Sequence, residues 1–276
     1  MDFVFRRRYR GRLKAVILDW AGTTMDFGCC APAAAFIQVF NRQGVGITLE
    51  QAREPMGMHK RDHIEKILQM PAVAKRWREV HGGAWTAADV ERMYREFVPI
   101  QLECIAQHAD LIPGTVKACG EMRARGLKIG TSTGYNDEML KLILDEGKKR
   151  GFEPDSSVCA TMVPAGRPAP WMCFQNAMNL GVYPMEACVK AGDTPQDIYA
   201  GLNAGVWTVG FAVSGNMMGL PQGELNALKP RERETRRERA YTRLAEAGAH
   251  YVVDGIWDLP DVLDAIDERL AQGERP

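Results

Sequence analysis

The sequence predicts a doubly wound, Rossmann-like parallel α/β core with a helical domain inserted into it. Three observations predict this: short apolar runs of strand length recur along the chain, helical or loop stretches separate them, and about a hundred residues of helical pattern stand between the first run and the second. At 276 residues the chain is about twice the size of an ordinary domain, so both parts can be accommodated.

The first run, Lys14 to Asp19, is almost continuously apolar and ends in a carboxylate, as a strand buried on both faces of a parallel sheet would. Further strands are expected at Gly126 to Thr131, Ser157 to Thr161, Ala187 to Gly192, Val206 to Val209 and His250 to Val253. The stretch after the first strand is too long for a simple crossover. An insertion over 27–109, in a core made of 1–26 and 110–276, is the economical division.

Inside that insertion Thr48-Leu49-Glu50-Gln51 fits a capping box. Thr86-Ala87-Ala88-Asp89 opens a long amphipathic run through Tyr94, Phe97 and Ile105, which Pro99 should kink or interrupt. Gly and Pro punctuate both ends of the insertion, so hinges are expected at Gly22 to Gly28 and at Leu111 to Gly114. Near the C-terminus, Lys229 to Arg243 interleaves Arg and Glu at helical spacing, which reads as a solvated helix with mutually paired charges.

Lys plus Arg and Asp plus Glu both total 35, a balance that favours a small substrate over nucleic acid or an acidic membrane. The seven cysteines include no C-x-x-C pair and point to a reducing, cytoplasmic compartment. No apolar run approaches the roughly 20 residues that span a bilayer. The basic start, Arg6-Arg7-Arg8-Tyr9-Arg10, is read as a solvated arm without an assigned role.

Four segments carry chemistry. Asp19-Trp20-Ala21-Gly22-Thr23-Thr24 follows the first strand, at the carboxyl edge where open α/β sheets place ligands. Thr131-Ser132-Thr133-Gly134-Tyr135 precedes a helix expected near Asn136 and offers hydroxyls and backbone donors to an anion. Gly166-Arg167-Pro168 supplies a guanidinium for phosphate oxygens. Gly192-Asp193-Thr194-Pro195-Gln196-Asp197 supplies carboxylates suited to a hard cation.

In this order and spacing the four segments resemble the four motifs of the haloacid dehalogenase superfamily, over Asp19 to Asp197. The resemblance implies an aspartyl-phosphate on Asp19 and Mg2+ held by Asp19, the Ala21 carbonyl and Asp193. Asp197 is expected to order the metal site from behind. One position departs from the phosphatases of that superfamily, which carry a general acid two residues after the nucleophile. Here it is Ala21, whose methyl group donates no proton, so the leaving group must be handled otherwise.

Within the insertion, Pro55-Met56-Gly57-Met58-His59-Lys60-Arg61-Asp62-His63 opens a helix with Lys60 in its first turns. If that helix starts early enough, Met56, Lys60 and His63 share a face. A lysine near a helix N-terminus and buried against methionine would hold a depressed pKa and act as a nucleophilic amine able to form a Schiff base. From these residues alone, a solvated surface lysine is the commoner outcome. His59 and His63 lack a third zinc ligand at suggestive spacing, so capping or packing is the expected use of His59.

The phosphonoacetaldehyde hydrolase family resembles this chain more closely and almost throughout. The shared segments are Asp-Trp-Ala-Gly-Thr-Thr from Asp19, the Gly28-Cys29 pair, Pro-Met-Gly-x-x-Lys-x-Asp-His from Pro55, Thr-Gly-Tyr from Thr133, Gly-Arg-Pro-x-Pro-Trp from Gly166 and Gly-Asp-Thr from Gly192. The resemblance implies a Schiff-base lysine at Lys60, with Cys29, Met56, His63, Thr133, Tyr135 and Arg167 lining the site, and a homodimer. It also implies cleavage of the carbon–phosphorus bond of phosphonoacetaldehyde under a cap that closes over the core. Two other readings stand beside it: a phosphate-ester hydrolase of the same superfamily, and a non-catalytic ligand-binding protein on this fold.

Overall fold

The computed structural model describes residues 8–276, so Arg6 and Arg7 of the basic arm lie outside the described residues. Six parallel strands form one sheet in the order β3-β2-β1-β4-β5-β6. They are β1 (Ala15–Leu18), β2 (Lys128–Thr133), β3 (Ser156–Cys159), β4 (Cys188–Gly192), β5 (Trp207–Phe211) and β6 (Tyr251–Val253). Every expected strand is present. β2 runs two residues beyond the expected end, because Ser132 and Thr133 pair with Val158 and Cys159 of β3 instead of turning away.

β1 pairs with β2 on one side and β4 on the other, so the strand order reverses at its carboxyl end. Open α/β sheets form a crevice at such a switch point, and Asp19 is the next residue. The four residues of β1 are fully buried because the strand alternates between two apolar layers. Val16 and Leu18 join a cluster with Met122, Leu140, Ile143 and Leu263. Ala15 and Ile17 join Cys173, Leu180 and Val206 on the opposite face.

Between β1 and β2 come α1 (Cys30–Arg42), α2 (Leu49–Arg53), α3 (Lys60–Gln69), α4 (Pro71–His81), α5 (Ala87–Gln107) and α6 (Thr115–Ala124). The first five pack around Phe36, Phe40, Ile64, Ile67, Trp77, Val90 and Phe97. Both expected capping boxes form: Thr48 exchanges hydrogen bonds with Gln51, and Thr86 with Asp89. Pro99 does not interrupt α5. It is exposed, as is Arg95 one turn earlier. The carbonyl that the missing N–H would have bonded is thus on the wet face, while Met93, Phe97 and Ile100 hold the other face in the core.

The remaining helices are α7 (Asp137–Lys149), α8 (Trp171–Leu180), α9 (Pro195–Ala204), α10 (Gln222–Ala227), α11 (Pro230–Glu246) and α12 (Leu259–Ala271). α7 begins at Asn136, whose side chain accepts the Met139 N–H. α11 is the charge-laced helix expected from sequence, with Arg236–Glu232 and Arg237–Glu234 pairs along its exposed side. Among the described residues no helix is long and apolar enough to cross a membrane, and all seven cysteines are free thiols.

Candidate active site

Asp19 leaves β1 with its N–H donating to the Ala191 carbonyl at 3.0 Å, which fixes its carboxylate at the switch point. Arg167 grips that carboxylate with both arms of its fork: Nη2 lies 2.7 Å from Oδ1 and Nη1 lies 3.0 Å from Oδ2. The same guanidinium donates to the Ser132 carbonyl and, at 3.4 Å, to the carbonyl of Gly57 in the insertion. It also pairs with Asp197 at 3.1 Å, and all three side chains are buried. A rigid planar fork suits so many acceptors where a lysine would not.

Asp19, Asp193 and Asp197 lie together, one oxygen from each within 4.8 Å of the others. Asp197 is already compensated. Lys190 reaches it at 2.7 Å and Arg167 from the other side, and although burial alone would raise its pKa, these cations hold it below the usual carboxylate range. It is also the capping-box partner of Thr194 at the start of α9. Asp193 forms no ion pair of this kind among the described residues. Its oxygens accept the Asn216 N–H at 2.7 Å and the Thr23 hydroxyl at 3.3 Å. Burial, then the charges of Asp19 and Asp197, push its pKa far up. A divalent cation would relieve that strain, and hard carboxylate and carbonyl oxygens suit Mg2+. Asp19 and Asp193 therefore suit a hard divalent cation, while Asp197 is taken up by Lys190 and Arg167.

On the facing side Lys60 is the first residue of α3. The helix starts here, not earlier, because Gly57 takes a left-handed φ of +94° and His59, with ψ at 137°, is not helical. Met56 consequently sits in the preceding turn, so the condition for sharing a helix face with Lys60 and His63 is not met, although its side chain still reaches the same cavity. Lys60 is 4% exposed, with its Nζ 5.3 Å from the Tyr135 ring centre and 5.5 Å from that of Phe36. It makes no hydrogen bond or ion pair among the described residues. Burial lowers its pKa to about 8, against the opposing pull of Cys29, Asp19 and Asp193. The helix N-terminus acts in the same direction as burial.

A small cavity of about 20 Å³ lies between the two halves, lined by Asp19, Ala21, Cys29, Pro32, Met56, Gly57, Lys60, Thr133, Gly134, Tyr135, Arg167, Asp193 and Thr194. Burial pushes the Cys29 thiol and the Tyr135 phenol well up, so both are neutral. Two expected site residues do not line it. Asp197 stands behind Arg167. His63 lies one turn after Lys60 on α3, its ring centre 3.7 Å from that of Phe36 at a tilt of 31° and its Nε2 2.9 Å from the Ala52 carbonyl. That contact makes Nε2 the protonated nitrogen, and burial with the Lys60 charge keeps the ring neutral. His59 packs its ring against Tyr94 and caps nothing with its side chain.

The site also contains residues that the sequence reading passed over. Lys190 sits in mid-strand within an apolar run, a signal in itself, since lysine is almost never fully buried unless paired. Gln101, buried on α5 between Phe97 and Cys104, directs its Nε2 at the Tyr135 hydroxyl at 3.5 Å. Gly57 and Gly134 mark where insertion and core touch. A Cβ on Gly57 would lie 2.5 Å from Thr194 Oγ1, and one on Gly134 would lie 2.3 Å from the Met58 carbonyl.

Comparison with known proteins addresses the whole length. Residues 13–205 match the profile of a family described as haloacid dehalogenase-like hydrolase. The chain is 48% identical over 274 residues to the phosphonoacetaldehyde hydrolase of Syntrophobacter fumaroxidans, 99% of each being covered. It is 47% identical to that of Nitratidesulfovibrio vulgaris, covering 99% of this chain and 98% of the other. The crystal structure of a phosphonoacetaldehyde hydrolase like protein from Oleispira antarctica superposes with a TM-score of 0.97 at 41% identity, each chain covered completely. The likeness includes the insertion that carries Lys60 as well as the common core. The chain belongs to the phosphonoacetaldehyde hydrolase family of the haloacid dehalogenase-like hydrolases.

Proposed function

We propose that this protein hydrolyses the carbon–phosphorus bond of phosphonoacetaldehyde to acetaldehyde and phosphate, with Lys60 forming an imine and Asp19 accepting the phosphoryl group. The observation that carries this reading is a buried lysine, with a pKa near 8, facing a strand-end aspartate that has Ala21 where a general acid would stand.

Lys60 Nζ adds to the aldehyde carbon, and loss of water leaves a protonated imine. An Asp19 oxygen attacks phosphorus as the carbon–phosphorus bond breaks, and that electron pair moves into the imine to give a neutral enamine. No alkoxide leaves, so no acid is required at position 21. Proton addition at the enamine carbon restores an imine, whose hydrolysis frees acetaldehyde and Lys60. Water attacks the aspartyl-phosphate and frees phosphate and Asp19. Asp19, Asp193 and the Ala21 carbonyl would hold Mg2+, which would supply charge neutralisation for the phosphoryl oxygens. Arg167 is placed to shift from Asp19 to those oxygens as the carboxylate is engaged.

The division into a core of 1–26 and 110–276 and a cap of 27–109 belongs to this reading, with hinges near Gly22 to Gly28 and Leu111 to Gly114. So does a homodimer. Closure brings Lys60 to Asp19 and excludes water from the imine.

The substrate assignment is tested by comparing phosphonoacetaldehyde with a generic phosphomonoester under saturating Mg2+. Phosphate and acetaldehyde should appear in equal amounts from the former, at a much higher kcat/KM. Faster release from the phosphomonoester would favour the phosphatase reading, and ligand binding without turnover the non-catalytic one.

The lysine also sets a pH dependence. Lys60 is mostly protonated below about pH 8 and free above it. The rate of borohydride-trappable imine formation should therefore rise about tenfold per pH unit up to that value and then level. A rate flat from pH 6 to 9 would contradict a depressed lysine. Docking of the insertion is tested by Gly57→Ala. The methyl group meets Thr194 and the left-handed backbone is strained, so kcat/KM should fall about 100-fold, with a drop of a few degrees in melting temperature that leaves the protein folded at the assay temperature. Undiminished activity would show that the two parts need not meet there.

A further inference from the structure

Insertion and core meet at a second place, behind the cavity wall, around one guanidinium that does not itself line the cavity. Arg53, the last residue of α2, donates from Nη1 to the carbonyls of Gly28 at 2.9 Å and Cys29 at 3.2 Å, and to Asn216 Oδ1 at 3.0 Å. Its Nη2 donates to the Gly219 carbonyl at 3.0 Å. Asn216 replies, its Nδ2 donating to the Arg53 backbone carbonyl at 3.3 Å. Three parts of the chain thus converge on Arg53: the segment leading from β1 to α1, the end of α2, and the loop at 214–219 after β5.

That loop also holds Asp193. The Asn216 N–H is the donor 2.7 Å from Asp193 Oδ2, and Gly215 packs so closely that a Cβ there would lie 2.1 Å from the Asp193 Cβ. The loop is tied to the entry segment on its other side as well, with Gly28 N–H donating to the Ser214 carbonyl at 2.7 Å and Ser214 Oγ to the Gly22 carbonyl at 2.8 Å. Asn216 is therefore held between Arg53 by its side chain and Asp193 by its backbone.

We infer that Arg53 is a positioning residue for the cation-binding carboxylate: by clamping Asn216 it orients Asp193, so that docking of the insertion and affinity for a divalent cation are coupled. This rests on the reading of Asp193 as a metal ligand. A carboxylate ligand depends on the donors that orient it, and their loss typically weakens metal binding about 10- to 100-fold. The coupling is reciprocal, so a bound cation favours the docked insertion as much as docking favours the cation. Lysine cannot replace Arg53, because a single ammonium does not span four acceptors arranged about a planar fork.

The test is Mn2+ binding to the full-length protein without substrate, followed by electron paramagnetic resonance, for the wild type, Arg53→Lys, Asn216→Ala and the double variant. Each single change should raise the Mn2+ dissociation constant about 10-fold, and the double no further than the weaker-binding single, since both break the same Arg53–Asn216 link to Asp193. Asn216→Ala keeps the backbone N–H and carries the test if Arg53→Lys fails to fold. A merely structural Arg53 would lower the melting temperature in chelator and leave Mn2+ affinity unchanged. Unchanged affinity in Asn216→Ala, or additive losses in the double variant, would overturn the coupling. A wild type that binds no Mn2+ would instead remove the metal reading on which it rests.

Discussion

Asp19→Asn is expected to reduce turnover of phosphonoacetaldehyde by about 10⁴-fold or more, the scale on which an essential nucleophile is lost, while leaving imine formation on Lys60 intact. The amide is nearly isosteric, so the cavity keeps its shape. It lacks the anionic oxygen that would bond to phosphorus, and its NH2 faces the Arg167 fork where an acceptor is required. Arg167 retains Asp197, so the guanidinium is not left without a counter-charge. Phosphate release and borohydride trapping, measured on the same preparation, separate the two steps. Retained turnover would remove Asp19 from its assigned role.

Lys60→Arg should be as damaging, by about 10⁴-fold or more, but with a different signature: neither turnover nor a trapped adduct. The positive charge beside the phosphonate is kept, so binding by charge alone survives. Guanidinium stays protonated and forms no imine. The variant also places a permanent cation where burial now pulls an amine towards neutrality, so its melting temperature should fall. Lys60→Met, apolar and of similar length, separates the effects: it should fold stably and be equally inactive. Turnover near the wild-type level in Lys60→Met would contradict an imine mechanism.

Much of this arrangement is legible in the sequence because it is local. Ala15 to Leu18 read as a doubly buried strand, and the capping boxes at Thr48 and Thr86 need only neighbours within one turn. The Ala21 substitution was visible too, once the motif around Asp19 was recognised. Other features depend on contacts between distant segments. Arg167 bridging Asp19, Asp197, Ser132 and Gly57 joins four separate stretches, and nothing near Arg167 in sequence announces it. The burial of Lys60 depends on Phe36 from α1 and Tyr135 beyond β2, so helix position alone left it looking like a surface lysine. A face shared by Met56, Lys60 and His63 required a helix begun before Gly57, whose left-handed backbone instead puts the start at Lys60. Pro99 leaves α5 uninterrupted, since packing on one face of the helix outweighs a single lost hydrogen bond on the other.

The division of labour between Asp19 on the sheet and Lys60 on the insertion is the centre of the account, and borohydride reduction in the presence of phosphonoacetaldehyde, followed by peptide mapping, tests it most directly. A single stable adduct on the peptide containing Lys60, absent without substrate and absent in Lys60→Arg, is the predicted result. An active enzyme that yields no adduct, or one that maps to another lysine, would contradict it.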